Sequence, residues 1–179
     1  PHAPGLRSGT DCPNDFATME QRIMIRSASL RDARRLYALE ADSYAAEEVT
    51  PLETFREILS EPKVYDNYHI DVLCRGQAIL GFHCYIRETP QVFNLVDLVI
   101  RKRFRGRGFG KKLFRHALRV IGKAKGKKVY LHVRADNIPA ISLYQSFGFH
   151  EVGREKNHYV DGSTAVKFAL RLQRAQLRR

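Results

Sequence analysis

Long apolar runs are absent. No stretch of the 179 residues approaches the roughly 20 consecutive apolar residues that cross a bilayer. The N-terminus has no apolar core of a signal peptide. Cysteine is scarce: Cys12, Cys74 and Cys84 are the whole set. Their spacing fits neither a metal site nor a CxxC redox motif, and an odd set does not build a disulfide framework. Cys74 and Cys84 sit in apolar stretches and read as small buried hydrophobes. These absences together favour a reducing cytoplasm and exclude a membrane partner. Internal repeats are missing, as are linkers after residue 20, so a single domain is expected over residues 19–173. Residues 1–18 are rich in Gly, Pro, Ser and Asp without periodicity. They read as a flexible leader or a vector-derived remnant, with the native start near Met19 or Met24. Residues 174–179 read as a basic tail.

Acidic residues are missing from residues 98–135, which carry 14 basic ones. Residues 1–97 hold 10 basic and 15 acidic residues, and residues 136–179 hold 7 and 4. The net charge of +12 and the pI near 9.9 therefore come from one patch on a near-neutral chain. Such a patch suits a polyanion, either nucleic acid or a phosphate-rich small molecule. The 44% hydrophobic and 28% charged content fits neither a disordered nor a membrane composition.

The residue pattern predicts alternating strands and helices. Ile23–Ser27 reads as a strand. Ser29 and Asp32 form a capping-box pair before a helix over Arg31–Asp42, with Leu36 and Leu39 on its apolar face. Thr50-Pro51-Leu52-Glu53 reads as a cap with Pro at N1 and Glu at N3, opening a second helix that buries Phe55, Ile58 and Leu59. His69–Cys74 and Ala78–Arg87 form a hairpin about Arg75-Gly76-Gln77, and Val92–Ile100 is a longer strand. A helix runs from Lys111 to about Lys125. Leu113, Phe114, Ala117, Leu118 and Ile121 fall on one face, with Lys112, Arg115, Arg119 and Lys123 on the other. Lys128–Arg134 is a strand, Pro139–Phe147 a helix stopped by Gly148, and the last strands are expected near Asn157–Val160 and Thr164–Leu172. Crossover helices in the second half imply a parallel pair inside a mixed sheet, an α/β or α+β fold.

Arg105-Gly106-Arg107-Gly108-Phe109-Gly110 lies between a strand and a helix. Glycines let the backbone approach a ligand, and a helix start aims free N–H groups and a positive dipole at it. A phosphate is the expected guest. A dinucleotide GxGxxG loop would need a third glycine where Lys111 stands, and a Walker loop would need one where Arg105 stands.

Arg105-x-x-Gly108-x-Gly110 resembles the acyl-CoA signature (Arg/Gln-x-x-Gly-x-Gly/Ala) of the GNAT N-acetyltransferases. At the family's distance follow Asn137-x-x-Ala140-x-x-x-Tyr144 and Gly148-Phe149, similar to the family's second block. The resemblance runs from about Met24 to Leu172 and is strongest from Leu95 to Phe149. It implies a mostly antiparallel sheet with a splayed parallel pair, about four flanking helices, and acetyl-CoA as cofactor. It further implies that the backbone of Leu98, Val99 and Ile100 holds the acetyl and pantetheine part. Arg105, Gly106, Arg107, Gly108, Phe109, Gly110 and Lys111 would cradle the pyrophosphate, and Asn137 would bond the pantetheine arm. The basic patch then raises the local concentration of a polyanionic cofactor.

In this family the amine attacks the thioester directly, so one group must take a proton from the amine and another must give one to the thiolate. Tyr144 matches the family's general acid; a phenol of reference pKa ~10 can donate to a thiolate whose thiol titrates near ~8.5. His132 is the candidate base. It alternates with Val129, Leu131 and Val133 along its strand and so faces away from them. Tyr130-Leu131-His132-Val133 resembles the matching strand of protein N-terminal acetyltransferases. Gly148 to Arg154, Asn157-His158-Tyr159 and Ala165 resemble the tail of the RimI-type ribosomal-protein alanine enzymes. His158 and Ser163-Thr164 depart from that tail's tyrosine and acidic pair, on a segment that meets substrate in the family. Asp97 is a further candidate to face substrate, and Asn94 stands where the eukaryotic branch carries a catalytic tyrosine.

An α-amine is the easier acceptor. With pKa ~7.7–8.0 about a tenth is neutral at pH 7, against well under a thousandth for a lysine near ~10.4. The expected activity is transfer of acetyl to a primary amine, above all a protein N-terminus. Polyamine or similar small-amine transfer and lysine acetylation are the alternatives within the class. An RNA- or ribosome-binding module using the basic helix, with a vestigial cofactor site, is the alternative from another class. No aromatic residues interleave that basic face to stack on bases.

Overall fold

The computed structural model describes residues 22–173. The leader expected at 1–18, Cys12, Met19 and the tail at 174–179 lie outside the described residues. Seven strands form one sheet: β1 (Ile23–Ser27), β2 (Tyr68–Arg75), β3 (Ala78–Thr89), β4 (Val92–Ile100), β5 (Lys128–Arg134), β6 (His150–Glu155) and β7 (Ala165–Arg171). Their order across the sheet is β1-β2-β3-β4-β5-β7-β6. Only β4 and β5 pair in parallel, and α3 (Phe109–Lys123) is the crossover between them. The other helices are α1 (Ala33–Ala41), α2 (Leu52–Ser60) and α4 (Ile138–Ser146). Among the described residues, no helix is long and apolar enough to cross a membrane.

The apolar stripes read from the sequence are the faces that pack. Leu36 and Leu39 of α1 and Phe55 of α2 bury against Ile70, Val72, Phe82 and Val99 on one face of the sheet. Phe114, Ala117, Leu118 and Ile121 of α3 bury against Phe93, Leu95, Leu131, Val133 and Phe168 on the other. Each such side chain contributes about 1.5–3 kcal/mol relative to exposure. The capping box at Ser29 forms as expected, with the Ser29 N–H and hydroxyl both donating to Asp32 Oδ2, at 2.9 and 3.0 Å.

Two expectations are corrected. Asn157–Val160 is a turn, with Asn157 at φ 54° and the His158 and Tyr159 N–H groups both donating to the Ser163 carbonyl. The strand lies earlier, at His150–Glu155. That strand is exposed along its whole length, so it carries no buried alternation to read, and its pairing with β7 alone defines it. Thr50 does not cap α2. Pro51 takes the N-cap position, and the Thr50 N–H donates instead to Glu40 Oε2 at 2.7 Å.

β4 carries the feature that opens the site. Cys84 pairs with Asp97 but Tyr85 pairs with Leu95, so Val96 bulges out of the ladder. The parallel ladder to β5 runs only from Val92↔Lys128 to Leu95↔Leu131. From Val96 and His132 onward the two strands diverge. One edge of the β4 backbone is left without a strand partner there.

Candidate active site

The divergence leads to the glycine loop. Gly106 and Gly108 adopt φ of 73° and 78°, and Gly108 is the N-cap of α3. A Cβ at either position would meet nothing within 4 Å, so glycine serves the left-handed backbone there, not a shortage of space. Gly110 has ordinary φ; a Cβ there would touch Ile100 and Leu143 at 3.7 and 3.8 Å. The first intrahelical bond runs from the Lys112 N–H to the Gly108 carbonyl at 3.0 Å. The backbone N–H groups of Gly106 through Lys111 find no acceptor among the described residues. With the helix dipole behind them, they form an anion cradle. A neighbouring cavity of about 410 Å³ is lined by Ile25, Gly108, Lys111, Lys112, Arg115, His116 and Arg119. These features fit a pyrophosphate.

The other sequence-predicted contacts fall around the same opening. Leu98, Val99 and Ile100 pair with β3 on one side through His83, Phe82 and Gly81. Their opposite side is the unpaired edge. Arg105 turns inward: its Nε donates to the Ile100 carbonyl at 2.9 Å and its guanidinium to Ser43 Oγ at 3.0 Å. Its role in the structure is to brace the loop against the ends of β4 and α1. Arg107 lies over the Phe104 ring, which also meets Phe109 edge-on. Asn137 caps α4 by accepting from the Ala140 N–H at 3.2 Å, and its side-chain NH2 remains for a ligand.

Tyr144 of α4 is 7% exposed and is held edge-on against Phe114, with ring centroids 5.3 Å apart. Its hydroxyl makes no hydrogen bond among the described residues. Burial, and then the charge of Asp97, push its pKa up, so it stays proton-bearing. Asp97 faces α1 and the segment that follows it, where the Tyr44 hydroxyl donates to its Oδ1 at 3.1 Å. Beside it Glu40 is fully buried, with Oε1 lacking a donor. Burial and the Asp97 charge raise the Glu40 carboxyl to about 8. Burial raises Asp97 to about 6, opposed chiefly by the hydrogen bond from Tyr44. The two carboxyls thus hold one proton between them near neutral pH.

His132 stands on the face of β5 away from Val129, Leu131 and Val133, as its alternation requires. Its Nε2 meets Glu155 Oε1 at 3.1 Å, its ring stacks on His158 at 5.0 Å, and His158 Nδ1 meets Glu155 Oε2 at 2.8 Å. Arg134, two residues on, clasps Glu48 of the α1–α2 segment to Asp161 and Ser163 of the β6–β7 turn. Its guanidinium also lies 4.3 Å over the Tyr159 ring. No hydrogen bond, ion pair or ring contact joins His132 to Tyr144 among the described residues, whereas the Asp97 charge raises the pKa of both Tyr44 and Tyr144.

Glu40, Tyr44 and Glu48 carry no motif and escaped the sequence reading, whereas Tyr159 belongs to the Asn157-His158-Tyr159 stretch that the resemblance singled out. One signal existed: Glu40 follows Leu39 and lies four residues after Leu36, so a carboxylate stands on an apolar helical stripe.

The acetyltransferase (GNAT) family model matches residues 31–149. The N-alpha-acetyltransferase RimI of Mycobacterium tuberculosis is 30% identical over 146 residues, spanning 80% of this chain and 89% of that one. Among solved structures, the Escherichia coli ribosomal-protein-S18-alanine N-acetyltransferase superposes with TM-score 0.73 and 24% identity, covering 85% of this chain and 95% of that one. Arabidopsis thaliana NAA60 in complex with acetyl-CoA superposes with TM-score 0.72 and 20% identity, covering 84% and 99%. These structural likenesses show a shared fold.

Proposed function

The chain belongs to the acetyltransferase (GNAT) family, and on that premise we propose that it moves acetyl from acetyl-CoA directly to the α-amino group of a protein N-terminus. The single observation that carries this reading is the opening between β4 and β5, which has the anion cradle of α3 at one end. The Arg134 clasp of Glu48 to the β6–β7 turn stands at the other. Two polypeptide segments tied across an entrance suit an extended acceptor.

Acetyl-CoA supplies the acetyl thioester and the thiol leaving group. Gly106 through Lys111 bind its pyrophosphate, the free edge of Leu98–Ile100 aligns its thioester arm, and Asn137 donates to that arm. Tyr144 protonates the departing sulfur. His132 accepts the amine proton: with its Nε2 proton on Glu155, Nδ1 is the basic nitrogen. An α-amine is the easier acceptor, since about a tenth is already neutral at pH 7.

A second reading assigns proton acceptance to the Glu40–Asp97 pair. It is favoured by the full burial of Glu40, by the charge of Asp97 acting on Tyr144 and by the pair's titration near neutrality.

Acetyl transfer to peptides differing in their first two residues tests the acceptor, with polyamines and N-terminally blocked lysine peptides as controls. Turnover confined to free N-termini is expected. Preferential transfer to polyamines or lysine side chains would overturn it. Thermal protection by acetyl-CoA tests the cofactor site, and its absence would leave RNA binding by the outer face of α3 as the surviving alternative.

A further inference from the structure

We propose that Asp71, His83 and His116 form a binding site for a zinc-like divalent cation beneath α3, apart from the acetyl-transfer site. Asp71 of β2 and His83 of β3 are directly paired in register and point to the same face of the sheet. His116 reaches the same point from α3. Asp71 Oδ2 lies 3.4 Å from His83 Nε2 and 3.2 Å from His116 Nε2. The three ligand atoms lie within 4.8 Å of one another.

These spacings pair the two imidazoles with the carboxylate and also match the edges of a metal site. With metal–ligand bonds of about 2.0–2.2 Å in a tetrahedron, neighbouring ligand atoms stand about 3.3–3.6 Å apart. Two edges of that length already exist, both meeting at one carboxylate oxygen.

The independent observation is His83. It is 0% exposed, and neither ring nitrogen has a hydrogen-bond partner among the described residues. Buried polar nitrogens without partners are rare and costly. The His83 ring is fixed by stacking on Tyr85, with centroids 5.6 Å apart, so its Nε2 is aimed at the cluster. A cation between the three groups would satisfy that nitrogen. Asp71 is oriented as a ligand by a supporting contact, since Ser27 Oγ donates to its other oxygen at 2.9 Å. Asp71 and His116 also line a cavity of about 810 Å³, which gives an entry path and room for water as a fourth ligand.

The site shares no residue with the acetyl-transfer machinery, although His116 also lines the cavity beside Gly108 and Lys111. His116 follows Gly108 by eight residues, about 12 Å along the helix, and its partners belong to β2 and β3. A bound cation would tie α3, the helix that carries the anion cradle, to the central strands.

The test uses the full chain stripped of metal with chelator, then titrated with Zn²⁺ or Co²⁺ salts. One equivalent of Co²⁺ should give the intense visible bands of a tetrahedral N/O site. Zn²⁺ at about 100-fold above its dissociation constant should raise the melting midpoint by about 5–10 °C. His116→Ala, at a partly exposed position, should fold and weaken Zn²⁺ binding by more than about tenfold. The Co²⁺ spectrum of the unmutated protein judges the site even if His83→Ala fails to fold. No bound equivalent, a weak octahedral Co²⁺ spectrum, or equal stabilisation of His116→Ala would each overturn the proposal. So would binding that survives His116→Ala and is lost in His158→Ala, which would locate the metal at Glu155.

Discussion

Replacing Glu40 with glutamine should stabilise the protein, and by an amount that grows with pH. Glu40 is fully buried and its Oε1 has no donor, while burial and Asp97 raise its carboxyl from 4.5 to about 8. The folded state therefore holds a proton that the unfolded chain releases near pH 4.5. Stability is highest below that point and falls as pH rises toward 8, because the native state binds the extra proton. Each unit of pKa difference corresponds to ~1.4 kcal/mol, so on the order of 2–4 kcal/mol disappears between pH 5 and 8. An amide at this position stays neutral. Its oxygen keeps the Thr50 N–H, and its NH2 takes the place of the partnerless Oε1 and can donate to Asp97. Urea unfolding at pH 5, 6, 7 and 8 gives the comparison. The difference between the two proteins removes terms common to both, such as His69 and His116. Glu40→Gln should gain on the wild type by on the order of 2–4 kcal/mol across the window, at unchanged m value. Parallel pH profiles would refute the shared proton. The same variant separates the two proton acceptors: if His132 is the base, the acid limb of kcat/KM stays in place, whereas the carboxylate-pair reading requires it to move.

Three further outcomes follow from the site. Gly108→Ala should cost about 1–2 kcal/mol from its positive φ, and Gly108→Arg should abolish thermal protection by acetyl-CoA. Gly110→Ala should keep that protection, since its Cβ meets only ordinary contacts; protection retained by Gly108→Arg would mean the loop does not hold the phosphates. Tyr144→Phe should lower turnover by about 10²–10⁴ while leaving acetyl-CoA affinity unchanged in calorimetry; unchanged turnover would remove its role. His132→Ala should lose more rate at pH 6.5 than at pH 9, where amines deprotonate unaided; a pH-independent defect would make His132 structural.

The elements with one buried face were legible in the sequence. Val92–Ile100 and Lys128–Arg134 have the bounds expected of them, because alternation or continuous burial marks both ends. α3 was legible because its five buried residues recur at helical spacing. β6 was illegible because its six residues are all exposed and only backbone pairing makes it a strand. The loop at Gly106–Gly110 was legible as a glycine turn opening a helix, and Gly106 and Gly108 do take positive φ there. The inward turn of Arg105 was not, because nothing in the sequence says whether an arginine beside a phosphate loop meets the phosphate or the Ile100 carbonyl.

The bulge at Val96 explains why the carboxylate pair was hidden. In a regular strand Phe93, Leu95, Asp97 and Val99 would share one face. The extra residue reverses the alternation. Phe93 and Leu95 stay with α3, while Asp97 and Val99 turn toward α1 and α2. Asp97 thereby meets Glu40 and Tyr44, which lie more than 50 residues earlier, and β4 parts from β5 at the same residue. The same irregularity therefore exposes the backbone edge and delivers a carboxylate beside it. Deleting Val96 should make the ladder regular while Asp97, now next after Leu95, stays opposite Cys84 and keeps facing Tyr44. The pH dependence of stability that Glu40 and Asp97 confer should therefore persist in the deletion, and its loss, read by urea unfolding from pH 5 to 8, would show that the extra residue is needed to aim Asp97.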